Sequence, residues 1–203
     1  VLDALRFRLR HRATDSVVDR SPRLSKPTDR RPWKANVRIM LVAAAEVKWV
    51  LLDAVGTLIY PRPPVAHAYL NAGRKFGSKL SLEEVADRFA TAFKEVFGNR
   101  GLATDAGQER DRWRAVVFSV FDDVEHRELL FDLLWDHFAK SDNWQVEHRV
   151  GEVLEFCRSR GWSVGIASNF DARLEQLVEN LPPLDTVDAV LFSESLGWNK
   201  PAP

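Results

Sequence analysis

The feature that most constrains the fold is an apolar run that ends on an acidic residue. Residues 47–54 are Val-Lys-Trp-Val-Leu-Leu-Asp-Ala, and Gly56 follows two positions later. A short, nearly unbroken apolar run bounded by glycine indicates a buried strand of a parallel sheet. The sequence therefore predicts a first strand with Asp53 at its carboxyl end.

Helical patterns dominate the middle of the chain, and strand patterns return near its end. Ser81 and Glu84 form a capping box at the start of one predicted helix. The aromatic residues of these helices, such as Trp113 and Trp135, are interpreted as core. The predicted helices are 67–76, 82–97, 108–121, 127–139, 149–158 and 172–181. The two later predicted strands are 163–167 and 189–192.

This order of elements predicts an α/β fold. A strand, a helical insertion and then a strand-helix-strand unit indicate a doubly wound parallel-sheet core with an inserted α-helical cap. We place the core in residues 40–61 and 148–203, and the cap in residues 62–147. Ligands bind such sheets beyond the carboxyl ends of the strands.

The first part of the chain differs in charge from the rest. Residues 1–39 contain eleven Lys and Arg against four Asp, a net charge of +7, and the remainder carries −7. This segment lacks periodicity, so we interpret it as a disordered basic extension. Its aromatic residues are few, Phe7 and Trp33, too few to interleave with the basic residues for stacking on bases, so no nucleic-acid partner is expected. Met40 is the single methionine, and translation is expected to start there.

Composition excludes two other classes of protein. No apolar run approaches the roughly 20 residues that a membrane-spanning helix needs, so no membrane partner is expected. Cys157 is the single cysteine, which excludes a disulfide framework and favours a reducing, cytoplasmic setting. Cys157 itself is interpreted as a small buried residue of a helix. Oligomeric state is left open.

Polar residues follow all three predicted strands. Asp53 ends the first strand as a candidate nucleophile, and Gly56 and Thr57 in the next loop are candidates for substrate binding. Ser168 ends the second strand and supplies a hydroxyl, and the amide of Asn169, the next residue, is a further candidate for substrate binding. Lys200 follows the third strand, where its ammonium could hold the nucleophile ionised and neutralise a bound anion.

Three stretches together resemble the motifs of a known family. Residues 53–58 are Asp-Ala-Val-Gly-Thr-Leu, residues 168–171 are Ser-Asn-Phe-Asp, and residues 197–201 are Gly-Trp-Asn-Lys-Pro. They resemble motifs one, two and three of the haloacid-dehalogenase-like hydrolases, subfamily I, which carry an α-helical cap. The amino-acid sequence around these stretches resembles that of the branch called "hydrolase domain-containing three".

The resemblance implies roles for the candidate residues. In this family the aspartate, here Asp53, attacks a small-molecule substrate, the serine binds the transferred group, and the lysine neutralises charge. In the family's phosphatases Mg²⁺ is held by the nucleophile, by the backbone carbonyl two residues later, here that of Val55, and by the acids of a fourth motif. With no fourth motif before Pro203, too few charged ligands are present for dependable Mg²⁺ binding.

Val55 leaves three functions open. Family phosphatases have a second aspartate at this position, which protonates the leaving oxygen, and losing such an acid costs about 10²- to 10⁴-fold in rate. A phosphatase-type enzyme acting on a small metabolite is our first hypothesis. Dehalogenation is the second hypothesis, because haloacid dehalogenases need no such acid. They do need an arginine that binds the substrate, and the cap arginines Arg74 and Arg88 are interpreted as solvated. The third hypothesis is a family member that binds without turnover.

The absence of the fourth motif before Pro203 also leads to an expectation about the core sheet. The family's core resembles a five-stranded sheet with the first strand in the centre, and only three core strands are predicted before Pro203. The C-terminal strands of the core are therefore expected to be missing, which leaves the first strand as an edge. An exposed apolar edge recruits other chains. We expect the chain as given to be inactive and prone to association.

The basic extension generates a testable prediction. A chain starting at Met40 should unfold at the same temperature as the full chain, within about two degrees, because a segment that buries no apolar surface contributes little stability. Thermal unfolding followed by circular dichroism measures both. A large loss of stability would show that residues 1–39 fold onto the rest.

Overall fold

The computed structural model of the protein describes residues 48–98 and 101–200. The predicted extension 1–39, Val47 and Pro201 lie outside them. The described strands are β1 (Trp49–Leu52), β2 (Ile59–Pro61), β3 (Trp144–Val146), β4 (Ser163–Ser168) and β5 (Ala189–Phe192). The described helices are α1 (Val65–Lys75), α2 (Leu82–Gly98), α3 (Ala106–Val120), α4 (Arg127–Ala139), α5 (Val150–Ser159), α6 (Arg173–Glu179) and α7 (Ser193–Leu196).

Three of the described strands form a parallel sheet in the order β1, β4, β5. Val50 lies opposite Val164, and Ile166 lies opposite Val190. A single apolar cluster joins the buried residues of β4 to those of α5 and α6, with Leu154 and Leu177 among its fully buried members. The predicted α/β core with a parallel sheet is confirmed.

The first strand is shorter than its apolar pattern indicates. It covers Trp49–Leu52, and the side chains of Trp49 and Leu51 are 45% and 56% exposed, in agreement with the expectation of an apolar strand at an edge. In the described sheet β1 pairs with one neighbour, β4, which places it at the edge. An edge strand leaves one row of backbone groups and part of its faces uncovered.

Helices α1 to α4 lie between β1 and β4 in the chain and form the inserted cap. Their buried side chains make a second apolar cluster that includes Tyr69, Phe121 and Leu130. The capping box at α2 is confirmed: the backbone N–H of Ser81 donates to Glu84 Oε2, and that of Glu84 donates to Ser81 Oγ. Phe138 packs against both clusters and so joins cap to core.

A two-stranded antiparallel ribbon was not predicted. Strand β2 precedes the cap helices and β3 follows them, with Tyr60 opposite Gln145. Each strand has three residues and one contains Pro61, so neither gives the alternating pattern by which a strand is recognised. The ribbon brings the two ends of the helical insertion together.

Two sequence-based interpretations concern single features of the described residues. None of the helices within 48–98 and 101–200 is both long and apolar enough to cross a bilayer. Cys157 is buried in α5 among core residues, which confirms its interpretation as a packing residue.

The packing of α1 generates a prediction. A Cβ added at Gly73 would overlap the ring of Phe121, whereas one added at Gly151 in α5 would lie 3.8 Å from the nearest atom, Pro183 Cγ. We expect Gly73→Ala to destabilise the protein by about 1–3 kcal/mol through overpacking. Gly151→Ala should stabilise it by up to about 1 kcal/mol through helix propensity.

Urea denaturation of both variants measures the two effects. The pair is matched, because each replaces a helical glycine by the same residue. A Gly73→Ala variant at least as stable as the parent would show that the cap is loosely packed around Phe121.

Candidate active site

Lys200 joins the carboxyl ends of two strands. Its Nζ donates to Asp53 Oδ1 at 2.8 Å and to the backbone carbonyl of Ala167 at 2.6 Å. Asp53 directly follows β1, and Ala167 lies in β4. Both side chains of the ion pair are nearly half exposed, so the pair contributes at most about 1 kcal/mol to stability. The contact matters for the position of the two charges.

Asn169 holds the backbone of Lys200 from both sides. Its Oδ1 accepts a hydrogen bond from the N–H of Lys200 at 2.6 Å, and its Nδ2 donates to the carbonyl of Lys200 at 3.2 Å. The amide therefore fixes the residue that carries the ammonium. Asn169 was predicted to bind substrate, and the structure places it on Lys200 as well as in the wall of the adjoining cavity.

Three polar groups at this edge have no partner among the described residues. Ser168 is buried at the end of β4 and lines the cavity. Its hydroxyl has no hydrogen-bond partner among the described residues, and the same holds for Asp53 Oδ2. Lys200 Nζ has three N–H donors and uses two of them here. One carboxylate oxygen, one hydroxyl and one ammonium N–H are thus free for a ligand.

The loop after Asp53 differs from its predicted role. The carbonyl of Ala54 accepts hydrogen bonds from the N–H groups of Thr57, Leu58 and Ile59, which closes a tight turn. Gly56 has φ 81°, a left-handed conformation that favours glycine. Neither Gly56 nor Thr57 lines the cavity, whereas Val55 does. The predicted substrate contacts at Gly56 and Thr57 are not brought to the site.

A cavity of about 300 Å³ opens beside Asp53 and extends between the core and the cap. Of the described residues, nine that line it are aromatic. Trp144 and Phe170 belong to β3 and the loop after β4. The cap helices contribute Tyr69, Phe89, Phe93, Trp113, Phe131, Trp135 and Phe138. Trp113 and Trp135, interpreted as core from the sequence, therefore also form the wall of a cavity.

Arg173 is a cavity residue that sequence reasoning missed. Its Nε and Nη2 donate to Asp171 Oδ1 and Oδ2 at 2.7 and 2.6 Å, and its Nη1 donates to the carbonyl of Trp135 at 3.1 Å. The guanidinium lies over the Trp135 ring, 3.5 Å from its centroid. Arg173 thus ties the core to the cap. The Asp-x-Arg spacing at the start of a predicted helix was the available signal.

The two arginines considered earlier lie elsewhere. Arg74 is exposed on α1, which agrees with a solvated residue. Arg88 is partly buried and donates to the carbonyl of Val120 and to Asp122. Neither lines the cavity. An arginine that could contact a substrate anion therefore comes from α6 and not from the cap.

Tyr69 places a polar group within the aromatic wall. It is 2% exposed, and no described residue is hydrogen-bonded to its hydroxyl. Burial raises the pKa of this hydroxyl, against a smaller lowering by the charge of Arg173. Tyr69 therefore stays protonated across the physiological range and can donate a hydrogen bond to a ligand.

The loop before Lys200 is bonded to the cap. The N–H of Asn199 donates to the carbonyl of Leu102 at 2.6 Å, and the N–H of Thr104 donates to the carbonyl of Gly197 at 3.0 Å. Asn199 is buried, and its Nδ2 contacts the carbonyls of Gly101 and Leu102. The segment that positions Lys200 is therefore held by the α2–α3 loop.

The described residues do not make a magnesium site by themselves. Asp53 is the one carboxylate among the described residues lining the cavity, and its Oδ1 is paired with an ammonium. No group of three or more potential ligand side chains occurs within residues 48–98 and 101–200. Mg²⁺ needs several oxygen ligands in octahedral geometry, so Asp53 and the carbonyl of Val55 are too few.

The sequence is similar to that of a human protein. It is 30% identical over 166 residues to "Haloacid dehalogenase-like hydrolase domain-containing protein 3" of Homo sapiens, which covers 78% of this chain. The chain spans 66% of that protein's length, just under two thirds. No protein-family model matches the chain.

Solved structures share the fold at lower identity. A dehalogenase in an intermediate complex has a TM-score of 0.54 at 24% identity, covering 77% of this chain and 66% of its own. A predicted phosphoglycolate phosphatase from Haemophilus somnus has a TM-score of 0.51 at 16% identity, covering 77% and 67%. At these identities the likeness concerns the fold alone. Proteins named as dehalogenases and proteins named as phosphatases therefore share this fold.

The contacts of Lys200 generate a prediction that does not depend on activity. Lys200 should react more slowly with an amine-acylating reagent than Lys94, an exposed lysine without a described ionic partner. Asn169→Ala should speed the labelling of Lys200 by about fivefold, the effect of losing a hydrogen bond of about 1 kcal/mol. Mass spectrometry of the labelled peptides measures both rates.

Asn180→Ala is the matched control, because Asn180 bonds to the carbonyl of Gln176 at the end of α6 and not to the site. It should leave Lys200 labelling unchanged. Equal labelling of Lys200 and Lys94 in the parent chain would contradict the observed arrangement.

Proposed function

Because the chain belongs to the haloacid dehalogenase-like hydrolases, we propose that it hydrolyses a small anionic substrate with Asp53 as nucleophile. Phosphoryl transfer is the first candidate reaction. The observation that supports it best is the 2.8 Å contact between Lys200 Nζ and Asp53 Oδ1. This contact favours the ionised carboxylate and leaves Oδ2 free to attack.

The first step transfers the phosphoryl group to Asp53. A bond forms between Oδ2 and phosphorus, and the bond from phosphorus to the leaving oxygen breaks. Negative charge on the transferred group is stabilised by the remaining N–H of Lys200 and by the Ser168 hydroxyl, which lines the same cavity. These donors are already in place before the substrate arrives, since Asn169 fixes the backbone of Lys200.

The second step returns Asp53 to its starting state. Water attacks the phosphorus of the aspartyl phosphate, the Oδ2–phosphorus bond breaks, and inorganic phosphate leaves. Splitting one displacement into two easier ones is the general advantage of a covalent nucleophile.

Dehalogenation is the second candidate, and Val55 is the specific observation that favours it. Val55 lines the cavity at the position where family phosphatases carry a general acid. A halide leaves without a proton, so the first step would form a bond between Oδ2 and carbon and break the carbon–halogen bond. The apolar wall and Arg173 supply what a small halogenated carboxylate needs.

The cellular setting remains a set of predictions. We propose a small-molecule substrate and a cytoplasmic location, the latter on the evidence of the single cysteine. Mg²⁺ is proposed for the phosphatase reaction only, with the further ligands that the family's fourth motif would supply.

Single-turnover trapping tests the proposal and separates the two reactions. A longer version of the chain that includes the family's fourth motif is mixed with an aryl phosphate and Mg²⁺, or with 2-chloropropionate. It is quenched in acid, and the peptide containing Asp53 is analysed by mass spectrometry. We expect a phosphoryl adduct at Asp53 with the first reagent. An ester at Asp53 with the second reagent would favour dehalogenation.

Asp53→Asn should abolish both adducts, because an amide is not a nucleophile at this position. Asp185→Asn is the matched control, since Asp185 is an exposed aspartate that follows α6 in the sequence and does not line the cavity. No adduct from either reagent in the parent chain would favour binding without turnover. An adduct retained in Asp53→Asn would refute the assignment of the nucleophile.

A further inference from the structure

We infer that the substrate is a small phosphate monoester whose leaving group is an aromatic ring oxygen, with the ring bound between the cap helices. This inference rests on the proposed phosphoryl transfer and names the class of substrate. It is carried by the wall of the cavity, by the free donors at its polar end, and by the residue that stands in place of a general acid.

The wall of the cavity selects for a flat apolar group. Rings from all four cap helices line it, among them Tyr69, Phe93, Trp113 and Phe131. Aromatic pairs favour stacked or edge-to-face contacts with another ring. Ligand sites span about 300–1,000 Å³, and this cavity of about 300 Å³ lies at the lower end. It therefore has room for one small ring.

The polar end of the cavity fits the phosphate. Lys200 and Ser168 each have an unused donor there. Arg173 has five N–H donors and uses three of them on Asp171 and Trp135, which leaves two. The cavity thus combines cationic and neutral donors with an otherwise largely aromatic wall. A ligand that matches both features has an anionic head on an aromatic body.

Val55 explains why the leaving oxygen should be aromatic. When the Asp53 Oδ2–phosphorus bond forms, the electron pair of the breaking bond stays on the leaving oxygen. A phenolic oxygen has a pKa of about 10, as in tyrosine, against about 15.7 for water. It can leave as an anion and take its proton from solvent afterwards. Such a leaving group does not need a general acid at the position of Val55.

Tyr69 adds a preference within this class. Tyr69 lines the cavity, and its hydroxyl has no partner among the described residues. A hydroxyl at the wall of a cavity can donate a hydrogen bond, so a hydrogen-bond acceptor on the substrate's ring would be stabilising. The site should therefore bind ring substrates with an acceptor substituent more tightly than unsubstituted ones.

Binding in the absence of turnover tests this inference. Isothermal titration of the full-length Asp53→Asn chain compares phenyl phosphate with glycerol 3-phosphate. We expect phenyl phosphate to bind about 10- to 100-fold more tightly, from burial of one ring. Since the nucleophile is absent, a failure of the proposed chemistry would not affect this measurement.

Two further variants in the same background locate the ring. Phe93→Ala should weaken phenyl phosphate several-fold and leave glycerol 3-phosphate unchanged. Leu129→Ala is the control, because Leu129 is an exposed apolar residue of α4 outside the cavity. Tyr69→Phe keeps the ring, so it should weaken 4-nitrophenyl phosphate by about threefold to tenfold and spare phenyl phosphate.

The inference is overturned if phenyl phosphate and glycerol 3-phosphate bind equally, or if neither binds. It is also overturned if Leu129→Ala weakens phenyl phosphate as much as Phe93→Ala. Circular dichroism checks the fold of Phe93→Ala, and Tyr69→Phe tests the same cavity with a change that preserves its shape.

Discussion

The arrangement of the site depends on one ammonium group held between two strand ends. Lys200 Nζ contacts Asp53 Oδ1 after β1 and the carbonyl of Ala167 in β4. Because both partners belong to paired strands of one sheet, the sheet sets the distance between them. The ion pair is too exposed to stabilise the fold appreciably. Its consequence is chemical, since it leaves the other oxygen of Asp53 unpaired beside the cavity.

The core and the cap make different contributions to that cavity. The core supplies the charged and polar groups, and the cap supplies most of the aromatic wall. Besides the packing of Phe138, two polar connections among the described residues join them: Arg173 is bonded to Asp171 and stacked on Trp135, and the α2–α3 loop is bonded to the segment before Lys200. A ligand that contacts the cap is therefore coupled mechanically to the residues that would act on it.

The sequence was most informative where geometry follows from topology. Carboxyl ends of neighbouring parallel strands meet at one edge, so Asp53, Ser168 and Lys200 could be expected together. Their catalytic roles stay predictions. Arg173, the β2–β3 ribbon and the aromatic wall could not be predicted in the same way, because they depend on how the cap helices are rotated toward the core. For that reason Trp113 and Trp135 were interpreted as core only.

We propose Asp53 as the covalent nucleophile of a site that Lys200 and Ser168 complete. A crystal structure of the chain with beryllofluoride, a mimic of a bound phosphoryl group, tests this role most directly. We expect beryllium bonded to Asp53 Oδ2, with fluorine atoms within hydrogen-bond distance of Lys200 Nζ and Ser168 Oγ. Beryllofluoride bound to another carboxylate, with Asp53 still paired to Lys200 alone, would contradict it.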